Sequence, residues 1–219
     1  MSADSLKASS QVEYFYSAHS AYAYIGSAKL RDLCRRHQCS LVHRPFNLMP
    51  VIEQSGSVPL EKRTPAQLVY YFGRQIARWA EFRDVPISSS MPTHHLNPLE
   101  LPNGMLIAAA EQGADVDSLA HALLQAHWCD DLDLADAAGL AATAKSAGID
   151  PEPLLAVALS SEIQAIHEQN TQEAIVRGVF GSPTYFVDGD MFYGQDHLEL
   201  VERALVRPFS GAKFANPNG

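Results

Sequence analysis

A turn of small residues near position 20 has the residue types needed to hold a bound anion. The turn is Ser17-Ala18-His19-Ser20, and residues with helical spacing follow it. A serine hydroxyl in the first turn of a helix can donate a hydrogen bond to an anion, and the positive end of the helix dipole adds to that stabilisation. A serine there can equally be a plain N-cap, worth about 1 kcal/mol of stability. Ser20 is therefore either an N-cap or a hydrogen-bond donor to a bound anion, and position alone favours the N-cap.

The residues on either side of this turn form a β-α-β pattern. Gln11–Tyr16 has the alternation of a strand, residues 23–37 have helical spacing, and Ser40–Phe46 is a second short apolar stretch. A crossover of this length joins parallel strands, and it is right-handed. Ser20 is thereby predicted to lie where the first strand gives way to the first helix.

The last third of the chain predicts a β-β-α pattern. Thr184–Val187 and Asp190–Tyr193 are predicted strands, and Asp188-Gly189 between them is a strong signal for a two-residue hairpin turn. An amphipathic helix is predicted over residues 197–206. Pro183 directly precedes the first of these strands.

Between the two patterns, the chain is rich in alanine and leucine at helical spacing. We predict an all-helical insertion over residues 60–172, which is longer than any ordinary loop in a compact domain. It divides an α/β domain into residues 11–55 and 173–207, and residues 208–219 form a C-terminal extension. The order β-α-β then β-β-α is that of a thioredoxin-like fold, which requires a cis proline beside the first helix. Ser182-Pro183 is at that position.

Charge and composition argue against several functions. The net charge of −9 argues against nucleic acid as a partner. No apolar run approaches the roughly 20 residues of a membrane-spanning helix, and the polar first ten residues predict no secretory signal. We therefore expect a cytoplasmic protein without a membrane partner. No metal site is expected, because the histidines and the cysteine that could bind a metal do not have the sequence spacing of metal ligands. They are interpreted as packing or surface residues. These candidates are His94, His95, His121, His127 and Cys129.

Two segments carry motifs of a known family. Residues 15–24, FYSAHSAYAY, are similar to the signature F-x-x-S-P-Y-x-Y/W, and residues 178–197, GVFGSPTYFVDGDMFYGQDH, are similar to the block G-V-F-G-x-P-T-x-x-V…F-x-G-x-D-R/H. Both motifs belong to the kappa-class glutathione transferases and 2-hydroxychromene-2-carboxylate isomerases, which have a DsbA-like thioredoxin fold. In this register Ser20 matches the family's active serine, so the resemblance implies that Ser20 is the catalytic residue. No cysteine remains in the turn, so disulfide exchange by a protein thiolate is excluded there.

The resemblance implies that glutathione binds at this turn. Ser20 would donate a hydrogen bond to the glutathione thiolate, whose pKa would fall from about 8.5 into the range of roughly 3.5–7.5 found at helix N-termini. The backbone of Ser182, exposed by a cis bond to Pro183, would pair with the cysteinyl part of glutathione, as in strand addition.

The resemblance also implies contacts to the two ends of glutathione. Gln195 and Asp196 match the pair that holds the γ-glutamyl end, although Asp196 can also be a simple N-cap. The glycyl carboxylate needs a cation, for which Lys62 or Arg63 is the candidate, against a solvated surface pair. Ser57 lies about where kappa-class enzymes have an asparagine that faces glutathione.

From this resemblance we expect a glutathione-dependent isomerase of the 2-hydroxychromene-2-carboxylate type, acting on a small aromatic hydroxy-keto acid. One alternative is a kappa-class-like transferase that conjugates electrophiles, and another is a non-catalytic binding module. The resemblance further implies a homodimer. Aromatic residues of the insertion and first helix are candidates for the substrate pocket, although core packing explains most of them equally well. These residues are Tyr22, Tyr70, Tyr71 and Trp79.

Overall fold

The protein has the four-stranded sheet that its sequence predicts. The computed structural model describes residues 11–58 and 62–211. The strands are β1 (Gln11–Tyr16), β2 (Ser40–Pro45), β3 (Thr184–Val187) and β4 (Asp190–Tyr193). They lie in the order β2-β1-β3-β4, with β1 parallel to β2 and antiparallel to β3, and β3 antiparallel to β4. The predicted thioredoxin-like fold of the α/β class is confirmed.

Helices surround the sheet, and most of them belong to the predicted insertion. In the described part of the chain they are α1 (Ala21–His37), α2 (Leu48–Gln54), α3 (Pro65–Val69), α4 (Gln75–Arg83), α5 (Glu100–Glu111), α6 (Val116–Asp130), α7 (Ala137–Ser146), α8 (Glu152–Val157), α9 (Ser161–Val176) and α10 (Leu198–Val206). A 3₁₀ turn, Gln195–His197, leads into α10. Along the chain, helices α3 to α9 lie between strand β2 and strand β3, so the large helical insertion is confirmed.

Two local features differ from the predicted pattern. The spacing predicts one amphipathic helix around residues 68–79, but a π-helical turn at Tyr70–Arg74 separates α3 from α4. Helix α2 is not predicted, because Pro50 signals a break in a helix. Pro50 lies in the first turn of α2, where its missing N–H costs no hydrogen bond. Asn47 caps this helix and accepts a hydrogen bond from the N–H of Met49, at 3.4 Å.

The apolar core has two parts, one on each face of the sheet. Alternate residues of β1 point to opposite faces. Tyr14 and Tyr16 stack on each other, with ring centroids 4.1 Å apart, and share a core with Leu123 of α6. Phe15 packs on the other face against Phe46 and Phe186. The insertion therefore packs directly on the sheet and holds the C-terminal end of β1 in place.

The C-terminal extension is only partly within the described residues. Residues 208–211 have no helix or strand, and residues 212–219 lie outside the described part of the chain. Across residues 11–58 and 62–211, no helix is both long enough and apolar enough to span a membrane. The three cysteines, Cys34, Cys39 and Cys129, are unpaired.

Candidate functional site

Ser20 caps the N-terminus of α1 and also faces the loop before β3. Its backbone is extended, and its Oγ accepts a hydrogen bond from the N–H of Ala23 at 3.2 Å. The same Oγ donates to the carbonyl oxygen of Ser182 at 3.1 Å. The residue is 8% exposed. Ser20 is thus an N-cap, as the simpler interpretation has it, and it also points a polar hydrogen into the predicted site.

The loop before β3 contains a cis peptide bond at Ser182-Pro183, as the fold requires. The Ser182 Oγ accepts a hydrogen bond from the N–H of Ser17 at 3.1 Å, so the turn and the proline loop are joined twice. Among the described residues, the Ser182 N–H has no hydrogen-bond partner. A ligand with a peptide backbone can therefore pair with Ser182 in the manner of strand addition.

Two buried side chains of the helical insertion also form hydrogen bonds to the turn. Neither of them is identified from the sequence. Asn103 of α5 is fully buried, and its Oδ1 accepts a hydrogen bond from the N–H of Ala18 at 3.1 Å. Its Nδ2 lies 3.1 Å from His167 Nε2 and 3.4 Å from the carbonyl oxygen of Phe46. On the other side, Trp128 Nε1 donates to the carbonyl oxygen of His19 at 2.9 Å.

Replacing Asn103 by leucine is expected to destabilise the protein by about 2–4 kcal/mol. Leucine is similar in size but apolar, so the buried partners of Asn103, among them the Ala18 N–H, would lose their hydrogen bonds. Urea unfolding followed by circular dichroism measures this loss. Gln112→Leu, at the exposed end of the same helix, is the matched control and should cost less than about 0.5 kcal/mol. A loss below about 1 kcal/mol in Asn103→Leu would show that the turn does not depend on this side chain.

Three of the predicted substrate-pocket tyrosines lie near one another beside the turn. The Tyr22 hydroxyl donates to the carbonyl oxygen of Tyr71 at 2.7 Å, and the rings of Tyr70 and Tyr71 meet edge to face at 5.6 Å. Burial raises the pKa of Tyr22, and the charges of Tyr193 and Asp196 raise it further. Tyr193 is therefore part of this cluster, although the sequence did not single it out from its position at the end of a strand.

Arg63 is the predicted cation that lies beside these tyrosines. Its guanidinium carbon is 5.3 Å from the centre of the Tyr71 ring, and its Nε donates to the carbonyl oxygen of Val58 at 3.1 Å. Burial raises the pKa of Tyr193, and the charge of Arg63 partly offsets that rise. Lys62 is exposed, and Ser57 lies in the preceding loop, where its hydroxyl accepts from Ser55 at 2.8 Å.

Gln195 is buried, and Arg83 of α4 fixes its orientation. Arg83 donates to Gln195 Oε1 at 3.1 Å and to the Gln195 carbonyl oxygen at 3.0 Å, and it pairs with Glu199 at 2.6 Å. Because a guanidinium only donates, the amide oxygen of Gln195 must face it. The neighbouring Asp196 carboxylate is about half exposed, at 49%, and lies 3.7 Å from His197 Nδ1. Asp196 is thus the member of the pair with an accessible side chain.

Trp79 packs within α4. Its ring meets Phe82 edge to face at 5.5 Å, and the guanidinium of Arg83 is 5.5 Å from its centre. The nearby groove, of about 380 Å³, is lined by other residues. These include Phe72, Ile76, Ile87, Met91 and Trp128. Because Trp128 also donates to His19 in the serine turn, this groove adjoins the candidate site, whereas a larger cavity of about 500 Å³ lies at the C-terminal end of β3.

Three histidines form a contiguous group at the turn. The His19 ring lies 4.7 Å from that of His95, which stacks on His127 with centroids 5.3 Å apart. His95 Nδ1 is 3.0 Å from His127 Nε2, and Ser17 Oγ is 2.9 Å from His19 Nδ1. Burial lowers the pKa of His19 to about 3 and that of His95 to about 4. Burial also lowers the pKa of His127, so the three rings are neutral at pH 7. No motif in the sequence predicts that they meet. Nowhere in residues 11–58 and 62–211 do three or more His, Cys, Asp or Glu side chains form a group that could hold a metal ion.

The site combines three features in a thioredoxin-like fold: the N-terminus of α1, a cis proline beside it, and a serine turn that contains no cysteine. The chain belongs to the DSBA-like thioredoxin domain family, whose model matches residues 11–206.

Named relatives lie within two enzyme groups. The chain is 25% identical over 198 residues to a 2-hydroxychromene-2-carboxylate isomerase of Sphingobium xenophagum, covering 89% of this chain and 97% of the relative. It is 22% identical over 213 residues to glutathione s-transferase kappa 2 of Caenorhabditis elegans, covering 91% and 93%. A solved 2-hydroxychromene-2-carboxylate isomerase superposes with a TM-score of 0.76 at 22% identity, covering 90% and 95%. The resemblance drawn from the two motifs is confirmed as distant homology.

Proposed function

We propose that this protein is a glutathione-dependent isomerase of the 2-hydroxychromene-2-carboxylate type, acting on a small aromatic hydroxy-keto acid. The observation that carries the proposal is the hydrogen bond from Ser20 Oγ to the Ser182 carbonyl oxygen, which joins the N-terminus of α1 to the cis Ser182-Pro183 bond. Homology to isomerases over 89% of the chain supports it.

The polar groups around Ser20 fit the parts of glutathione. The Ser182 N–H is free among the described residues, and its carbonyl oxygen has a second lone pair, so both can pair with the cysteinyl backbone. The Asp196 carboxylate can accept from the γ-glutamyl ammonium, and Arg63 can take the glycyl carboxylate. The buried side chain of Gln195, whose Oε1 accepts from Arg83, would not contact the ligand.

Glutathione, when bound, supplies a thiolate that adds reversibly to the conjugated double bond of the ring-opened substrate and so permits that bond to rotate. Ser20 stabilises the charge of this sulfur by turning its hydroxyl hydrogen from Ser182 towards it. The N-terminus of α1 adds the positive end of its dipole. The rings of Tyr22, Tyr71 and Tyr193 give the substrate's aromatic ring an apolar surface.

Two measurements test the proposal. Calorimetry should show glutathione binding at or below millimolar concentration, and no binding there would favour a non-catalytic module. Incubation with 2-hydroxychromene-2-carboxylate should interconvert its isomers while the concentration of free thiol stays constant. Stoichiometric loss of thiol with an electrophile, without isomerisation, would identify a transferase instead.

A further inference from the structure

The hydrogen bonds of the three-histidine group assign a proton to each ring. The carbonyl oxygen of Leu132 can only accept, so His127 Nδ1, at 2.8 Å from it, carries a hydrogen. Neutral His127 then has a bare Nε2, which accepts from His95 Nδ1. Neutral His95 is therefore left with a bare Nε2. The order of donors in this group is fixed by one backbone carbonyl.

His19 has the opposite tautomer. Ser17 is fully buried, and its hydroxyl hydrogen has one acceptor within reach among the described residues, His19 Nδ1. A neutral imidazole that accepts at Nδ1 carries its hydrogen on Nε2. In residues 11–58 and 62–211 the His19 Nε2 has no hydrogen-bond partner, and it is not fully enclosed by protein atoms. His19 thus has a neutral, unpaired N–H donor at the turn.

The same anchor fixes His19 and Ser20. Ser17 bonds His19 through its hydroxyl and Ser182 through its N–H, while Ser20 bonds the carbonyl oxygen of Ser182. The imidazole is thereby anchored to the same turn and loop as Ser20. A neutral imidazole, unlike an imidazolium, can polarise a carbonyl without forming an ion pair that neutralises the thiolate.

We propose that His19 is a catalytic residue whose Nε2–H donates a hydrogen bond to the substrate oxygen that gains negative charge during isomerisation, while His95 and His127 hold its ring. This inference rests on the proposed function. No proton is transferred, and no bond of His19 forms or breaks, so its contribution is stabilisation of developing charge by a fixed donor.

The test combines kinetics with ¹⁵N NMR of the histidine rings in the full chain. His19→Ala should lower kcat for 2-hydroxychromene-2-carboxylate by about 100-fold, because one fixed donor is lost, and glutathione affinity should stay unchanged. His19→Gln, which keeps a neutral N–H donor, should restore kcat to within about tenfold of the parent protein. At pH 6 the His19 ring should be neutral with its hydrogen on Nε2. His94→Ala, at the exposed neighbour of His95, is the matched control and should leave kcat unchanged.

Three results would overturn this assignment. The first is a kcat in His19→Ala within about threefold of the parent while glutathione still binds. The second is a cationic or Nδ1-protonated His19 ring at pH 6. Both would remove the role of His19 and leave the proposed function intact. Failure of the parent protein to bind glutathione is the third, and it would overturn the proposed function as well.

Discussion

Replacement of Ser20 by alanine is expected to lower turnover about 100-fold and to return the pKa of the bound glutathione thiol towards about 8.5. The reason is geometric. Ser20 Oγ is the side-chain hydroxyl at the N-terminus of α1 that already donates towards the proline loop. Without it, only the helix dipole stabilises the sulfur anion. Steady-state kinetics and ultraviolet titration of the thiolate give the two quantities.

A second serine N-cap, far from the site, serves as a control that distinguishes a catalytic role of Ser20 from its capping role. Ser160 caps α9 by accepting a hydrogen bond from the N–H of Ile163 at 3.4 Å, so Ser160→Ala removes a comparable cap away from the site. Both variants should lose about 1 kcal/mol of stability, but only Ser20→Ala should lose turnover. If Ser20→Ala loses less than about tenfold in turnover with an unmoved thiol pKa, Ser20 is a cap alone.

Acid is expected to destabilise the folded protein steeply between about pH 6.5 and 4.5. Burial lowers the pKa of His19 to about 3, that of His95 to about 4, and that of His127 below its usual value. The unfolded chain therefore binds protons in this range that the folded chain does not, so stability falls as the pH falls. Each such group contributes up to about 1.4 kcal/mol per pH unit, and the three together up to about 4.

Urea unfolding at a series of pH values measures this slope. His95→Gln should make this slope shallower, whereas His94→Gln, with a side chain that is 49% exposed, should not change it. Above pH 6.5 these histidines should not change the free energy of unfolding. A flat profile down to pH 4.5 would contradict the neutral histidine group. Carboxylates such as Glu202, whose pKa falls to about 2 beside Arg36 and His37, act below that window.

The parts of the fold that follow from local pattern could be predicted from the sequence. The alternation of Gln11–Tyr16, the turn before α1 and the Asp188-Gly189 hairpin each depend on residues a few positions apart. Helix α2 could not be predicted, because Pro50 signals a break in a helix. The π-helical turn could not be predicted either, because a change in helix winding leaves no signature in the spacing of apolar residues.

The candidate site shows the same division. Ser20 and Pro183 lie in motifs, and the fold alone predicts that they meet. Asn103, Arg83 and His95 reach the site across 85, 112 and 76 positions, respectively, from Ala18, Gln195 and His19. Such pairs are set by how the insertion packs on the sheet, so one sequence could not reveal them.

The Ser20–Ser182 bond also bears on which thiols the protein can use. A sulfur that draws the Ser20 hydrogen to itself deprives the Ser182 carbonyl oxygen of the donor it had. A peptide thiol returns an amide hydrogen to that oxygen, whereas a small thiol such as mercaptoethanol has no amide to offer. The loop would thus favour a thiol that brings its own amide N–H to the Ser182 carbonyl oxygen in place of the Ser20 hydroxyl. A cysteine within a peptide has such an amide.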